Sequence, residues 1–97
     1  MAVLQLDTQS IIADAGGEAV DLSGIAPGFL YYQLAITNTG AAAVYLCNPT
    51  ETPGPTGLLI PNGAAIYSPI YTVAAGEPVL YAASTETCAV SVLVVVA

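Results

Sequence analysis

The sequence predicts a single all-β domain, a small antiparallel β-sandwich or jelly-roll-like barrel of about seven to eight short strands. Three observations predict it. No segment has convincing helical periodicity, while Val, Ile, Thr and Tyr are abundant. Nine Gly and seven Pro punctuate the chain. The punctuation recurs at spacings of about 8–12 residues, as in sandwiches and barrels. At 97 residues, the chain (1–97) has room for one domain and not for two.

Residues 2–6 are a short strand candidate, and 10–13 a second. Ala15-Gly16-Gly17 turns the chain. Residues 18–22 fit a short edge strand, closed by Ser23-Gly24 and Ala26-Pro27-Gly28. The clearest strand is 30–38, with Tyr32, Leu34 and Ile36 on one face and Tyr31, Gln33, Ala35 and Thr37 on the other. Asn38-Thr39-Gly40 is turn chemistry and 43–47 is again strand-like, so 30–47 is read as a β-hairpin. Residues 48–57 form a loop, because Pro49, Pro53 and Pro55 cannot donate ladder hydrogen bonds. Residues 58–60 are a brief strand, ended by Pro61-Asn62-Gly63. Residues 65–73 are extended, with Pro69 marking a bulge or an edge. After the turn Ala74-Ala75-Gly76-Glu77, residues 78–84 and 88–96 are expected to pair through Thr85-Glu86-Thr87.

Charge is the unusual part of the composition. There is no Lys, Arg or His, and seven acids (Asp7, Asp14, Glu18, Asp21, Glu51, Glu77, Glu86) give a formal charge of −7. Charged residues make up 7% of the chain, against about 25% in an ordinary domain. Nucleic-acid binding is excluded on this composition, because phosphate contacts are made mainly by Lys and Arg. Binding to anionic lipid fails for the same reason. Without His, Lys or Arg, catalysis loses its usual proton shuttle, Schiff base and oxyanion cation, so the chain is read as no enzyme, with no cofactor and no metal. The longest dense apolar stretch, 88–97, is about half of the ~20 residues that a membrane helix needs. The first residues carry neither a basic nor a long apolar region of a signal peptide, so synthesis in a cytoplasm is expected.

The last strand shows how such a chain must work. Val90, Val92, Val94 and Val96 share one face, and Ala89, Ser91, Leu93 and Val95 the other. A solvated antiparallel strand would alternate apolar with polar. Either the domain buries both faces itself, or one face meets another chain. A sandwich this small has few layers, which favours the second reading. Strand edges are often guarded by lysine, and this chain has none, so assembly with other protein is expected to cover them. The interface candidates are Tyr67, Tyr71, Leu93 and Val95. Tyr31, Tyr32, Tyr67 and Tyr71 are also weighed as a sugar-stacking platform, against packing within the sheet.

Cys47 and Cys88 each sit at a strand terminus and could form a disulfide, although a cytoplasmic origin favours buried thiols. The acids are scattered, without the spacing of a calcium loop, and read as a solvated acidic surface.

The carboxy-terminal two-thirds carries a series of short motifs. These are Ile36-Thr37-Asn38-Thr39-Gly40, Ala43-Val44-Tyr45-Leu46, Leu59-Ile60-Pro61-Asn62-Gly63, Ala74-Ala75-Gly76-Glu77, Leu80-Tyr81-Ala82-Ala83-Ser84 and Val90-Ser91-Val92-Leu93. Together they resemble small β-sandwich virion proteins of tailed bacteriophages, including capsid decoration (cement) proteins. The final strand departs from that pattern in being purely apolar, where relatives often carry Arg or Glu. The resemblance implies a protein on the outer capsid that binds the major capsid protein or another virion protein. It further implies a homo-oligomer, with a trimer favoured, that bridges shell subunits. Two alternatives stand beside it: a glycan- or receptor-binding module of a virion or fibre, and a subunit of an extracellular filament.

Overall fold

The computed structural model describes residues 5–83 and 86–97. Nine strands follow one another among the described residues. They are β1 (Thr8–Ala13), β2 (Glu18–Ala19), β3 (Tyr31–Asn38), β4 (Val44–Cys47), β5 (Leu58–Ile60), β6 (Ala65–Tyr67), β7 (Tyr71–Thr72), β8 (Val79–Ala82) and β9 (Cys88–Val96). A single 3-10 turn, Val73–Ala75, lies between β7 and β8. The all-β expectation holds. The strand expected over 2–6 falls mostly outside the described residues, and its described part, Gln5 and Leu6, is not in a strand. Ser84, the end of the expected 78–84 strand, and Thr85 of the expected 85–87 connection also lie outside them.

Two antiparallel sheets pack face to face. Sheet A has the order β1-β9-β3-β6, with β7 continuing beside β3, and sheet B has the order β2-β8-β4-β5. The chain therefore crosses repeatedly between the sheets, with β4–β5 and β6–β7 each staying within one, and the last strand inserts between the first and the third. This is the jelly-roll arrangement, which presents two layers to one core.

Alternation dictates which side chains fill that core. Tyr32, Leu34 and Ile36 of β3 point inward and are buried, as the sequence pattern requires. Val90, Val92, Val94 and Val96 do the same from β9, and Ile11 and Ala13 from β1. Val44, Leu46, Ile60, Leu80 and Ala82 face them from sheet B. Fully burying one such side chain contributes about 1.5–3 kcal/mol.

Two expected pairings are corrected. Residues 30–47 do not form a hairpin, because β3 lies in sheet A and β4 in sheet B. Likewise β8 does not pair with β9; it lies between β2 and β4. The physical reason is length. β9 has nine residues and takes the place beside β3 along the register Tyr32↔Val96 to Asn38↔Val90. A four-residue β4 offers fewer ladder bonds and less apolar area to that position.

Asn38 holds the crossing between sheets. It is 0% exposed, and its amide nitrogen donates to Ala42 O at 2.7 Å and to Ile60 O at 3.0 Å. Its side-chain oxygen accepts from the Gly40 N–H at 3.1 Å and from the Cys88 thiol at 3.0 Å. Gly40 sits so close to β9 that a Cβ there would lie 2.3 Å from Cys88 Sγ. Turn chemistry is present at 38–40 as expected, but it sends the chain to the other sheet.

The bulge expected at Pro69 is real. Tyr67 pairs with Ala35, and Tyr71 with Tyr32, so four steps on one strand oppose three on the other. Ser68 fastens it: its hydroxyl accepts from Leu34 N–H at 2.9 Å and donates to Pro69 O at 2.7 Å. Among the described residues, no buried side-chain nitrogen or oxygen lacks a partner.

Candidate interaction surfaces

Each sheet turns one face to the core and one outward. On sheet A the outward residues align across strands as Thr8–Leu93–Ala35–Tyr67. A second row runs Ser10–Ser91–Thr37–Ala65, and Val95 lies opposite Gln33. Leu93 and Val95 are half-buried by their neighbours, and Tyr67 is 73% exposed. The valine ribbon of β9 is thus wrapped by its own fold on one face only. Three interface candidates, Tyr67, Leu93 and Val95, share this outer surface.

Tyr71, the fourth, does not. It is 9% exposed and points inward, its ring centroid 5.3 Å from that of Tyr32. Residues 67 and 71 would share a face on a regular strand, but the bulge between them shifts the phase by one residue. The Tyr71 hydroxyl donates to Asn48 Oδ1 at 2.9 Å, and the Tyr32 hydroxyl to Gly76 O at 2.7 Å. Burial pushes the Tyr32 phenol up to about 12, reinforced by the neighbouring Tyr71 and Glu77. Tyr71 is raised too, mainly by burial.

The proposed sugar platform is broken by the same fact. Only Tyr31 and Tyr67 of the four rings are exposed. They stand opposite Thr72 and Ala35, four residues apart along β3. At ~3.3 Å per residue the separation is roughly 13 Å, too far for one stacking surface.

Sheet B has an outer row that the sequence reading did not single out: Leu59–Tyr45–Tyr81. Leu59 is exposed and the two tyrosines are half-buried. The signal was there in the alternation of Val44 and Leu46 around Tyr45, and of Leu80 and Ala82 around Tyr81.

Every strand of sheet A is free of charge. The acids stand in turns and at strand ends; only Glu18 lies within a strand, at the edge of sheet B. Several work as turn caps. The Asp14 carboxylate accepts from Gly16 N–H at 2.8 Å, and that of Asp21 from Ser23 N–H at 2.9 Å. Hydrogen bonds from Ser23 hold the Asp21 carboxyl below the usual carboxylate range. Among the described residues no cluster of three metal-ligating side chains forms. No helix among them is long and apolar enough to cross a membrane.

Two open hollows flank Tyr31. The larger, about 440 Å³, is lined by Phe29, Leu30, Tyr31 and the segment 72–74. The smaller, about 140 Å³, lies beside Gln33, Ile70 and Val95 at the end of the sheet A face. Both are mostly apolar and neither is lined by an acid.

Of the two readings of the cysteines, the buried thiols hold and the disulfide does not: Cys47 and Cys88 are both buried and free. The Cys88 thiol, whose one hydrogen is shared between Asn38 Oδ1 at 3.0 Å and Ala42 O at 3.1 Å, lies just before β4, whereas Cys47 closes that strand. Five residues at ~3.3 Å each place them roughly 16 Å apart, against the ~7 Å limit for a bridge. The Cys47 thiol instead rests on the proline loop, where Gly54 N–H donates to it at 3.5 Å.

Compared with known proteins, the chain matches no family model and no curated protein.

Proposed function

We propose that this chain is a non-enzymatic structural protein of a virion, a capsid decoration protein that binds the outer shell and strengthens contacts between shell subunits. One observation carries the reading: the sandwich has an apolar row on each of its two outer faces. Leu93, Ala35 and Tyr67 form one, and Leu59, Tyr45 and Tyr81 the other. A body with two opposed sticky faces can bridge two neighbours, which is mechanical work rather than chemistry. Apolar burial supplies roughly 25 cal/mol per Å² before association costs, and repetition over a symmetric shell multiplies weak contacts. The acidic rim suits a polar or basic partner surface and keeps unassembled copies apart.

The choice of a virion rests on the sequence resemblance to tailed-phage β-sandwich proteins. Jelly rolls also recur in capsid and lectin domains, an analogy of architecture and not of site. The test uses particles purified from the source that encodes the chain. Quantitative mass spectrometry should find it in fixed ratio to the major shell protein, and gold-labelled antibody should mark the outer shell. Particles that lack it, or carry it only on a tail or fibre, overturn the proposal.

A further inference from the structure

The two outer faces differ in size, and the difference assigns them. We infer that the outer face of sheet A is the self-association surface, which packs against the same face of a second copy. The inference rests on the reading of the chain as an assembling structural protein, and it specifies which neighbour each face takes.

Charge gives the first argument. The chain carries −7 and has no Lys, Arg or His, so it can form no side-chain ion pair with a copy of itself. A contact between copies must therefore come from surface without acids, or like charges are brought together. Sheet A fits, since none of its strands contains an acid. On sheet B, Glu18 stands opposite the buried Leu80 and so on the core side of its edge strand, which leaves size to separate the two faces.

Area gives the second. The strands of sheet A hold six, nine, eight, three and two residues. At ~3.3 Å per residue and ~4.8 Å per strand they cover roughly 440 Å², so two copies would bury roughly 890 Å², above the ~800 Å² that bounds most incidental contacts. The strands of sheet B hold two, four, four and three residues. The same arithmetic gives roughly 410 Å² for two copies, well inside the incidental range.

Relief gives the third. Along the row Leu93–Ala35–Tyr67, a small residue separates two large ones. Ala35 leaves a trough that a Tyr67 ring from a copy can fill, as interdigitating sheets require. The neighbouring row of Ser10, Ser91 and Thr37 offers hydroxyls that can bond across the same contact. A face that meets its own kind is isologous, so the assembly closes at two copies. Sheet B is then left free for the shell.

Sedimentation equilibrium on the purified chain tests this. The wild type should show twice the 9.7 kDa of one chain. Tyr67→Asp should weaken self-association on the order of a hundredfold, because each dimer then carries two desolvated carboxylates. Tyr67 is exposed, so this variant should keep the wild-type circular dichroism. Val95→Asp should act in the same direction, and Leu59→Asp on sheet B should leave the dimer intact. A wild type that sediments as one or three chains overturns the inference, as does a dimer that withstands folded Tyr67→Asp. A monomer that still decorates shells would sink this inference alone. A dimer absent from shells would sink only the proposed function.

Discussion

The Asn38 side chain offers the sharpest test of how the two sheets are joined. Asn38→Leu keeps the branched heavy-atom outline and discards every polar atom of the side chain. The Gly40 N–H then loses its acceptor at 3.1 Å, and Ile60 O loses its donor at 3.0 Å. Ala42 O loses one donor at 2.7 Å but keeps the Cys88 thiol at 3.1 Å. Two stranded backbone groups cost about 1–3 kcal/mol each, so the variant should lose about 4 kcal/mol. Small domains have about 5–15 kcal/mol in all, so the loss should leave a marginal fold. Urea unfolding followed by circular dichroism reads it, as a midpoint lowered by about 2–3 M with unchanged slope. A loss below about 1 kcal/mol would refute the reasoning, since the crossing would then be held by something other than this amide.

Four further predictions follow from the same structure. Tyr32 is raised from 10.0 to about 12, so the unfolded chain releases this proton first and stability falls as pH rises from about 10 to about 12. Tyr32→Phe, which gives up the 2.7 Å bond to Gly76 O, should be less stable than wild type at pH 7 and should flatten that alkaline decline in urea titrations. Val92→Ala, in the core face of β9, should cost about 2–3 kcal/mol, while Val95→Ala on the outer face of the same strand should cost about 1 kcal/mol or less in the isolated chain; equal losses would contradict the register. Gly40→Ala sets a Cβ 2.3 Å from Cys88 Sγ and 2.9 Å from Ala89 N and should destabilise by at least about 2 kcal/mol, whereas Gly54→Ala, with nothing within 4 Å, should be near neutral by thermal melting. Neither cysteine should react with a thiol reagent in the native chain, both should react after denaturation, and reductant should not move the melting temperature.

The sequence by itself determined the elements and their faces. Local rules suffice there: alternation fixes which side of a strand is apolar, and Gly and Pro mark where strands stop. Residues 88–96 were legible as a strand, their two faces included, and Pro69 as a bulge. Of the four residues singled out in the sequence as interface candidates, Leu93, Val95 and Tyr67 lie on one outer face.

Tertiary structure alone decided which strands lie side by side. Pairing depends on which distant strand offers the longest ladder and best apolar fit, and spacing along the chain carries no record of that competition. So β9 displaced β4 from the side of β3, and the apparent hairpin at 30–47 became a crossing between sheets. The same long-range geometry buried Tyr71 behind a one-residue phase shift, set Cys47 and Cys88 at opposite ends of β4, and assembled Leu59, Tyr45 and Tyr81 into a row from three separate strands.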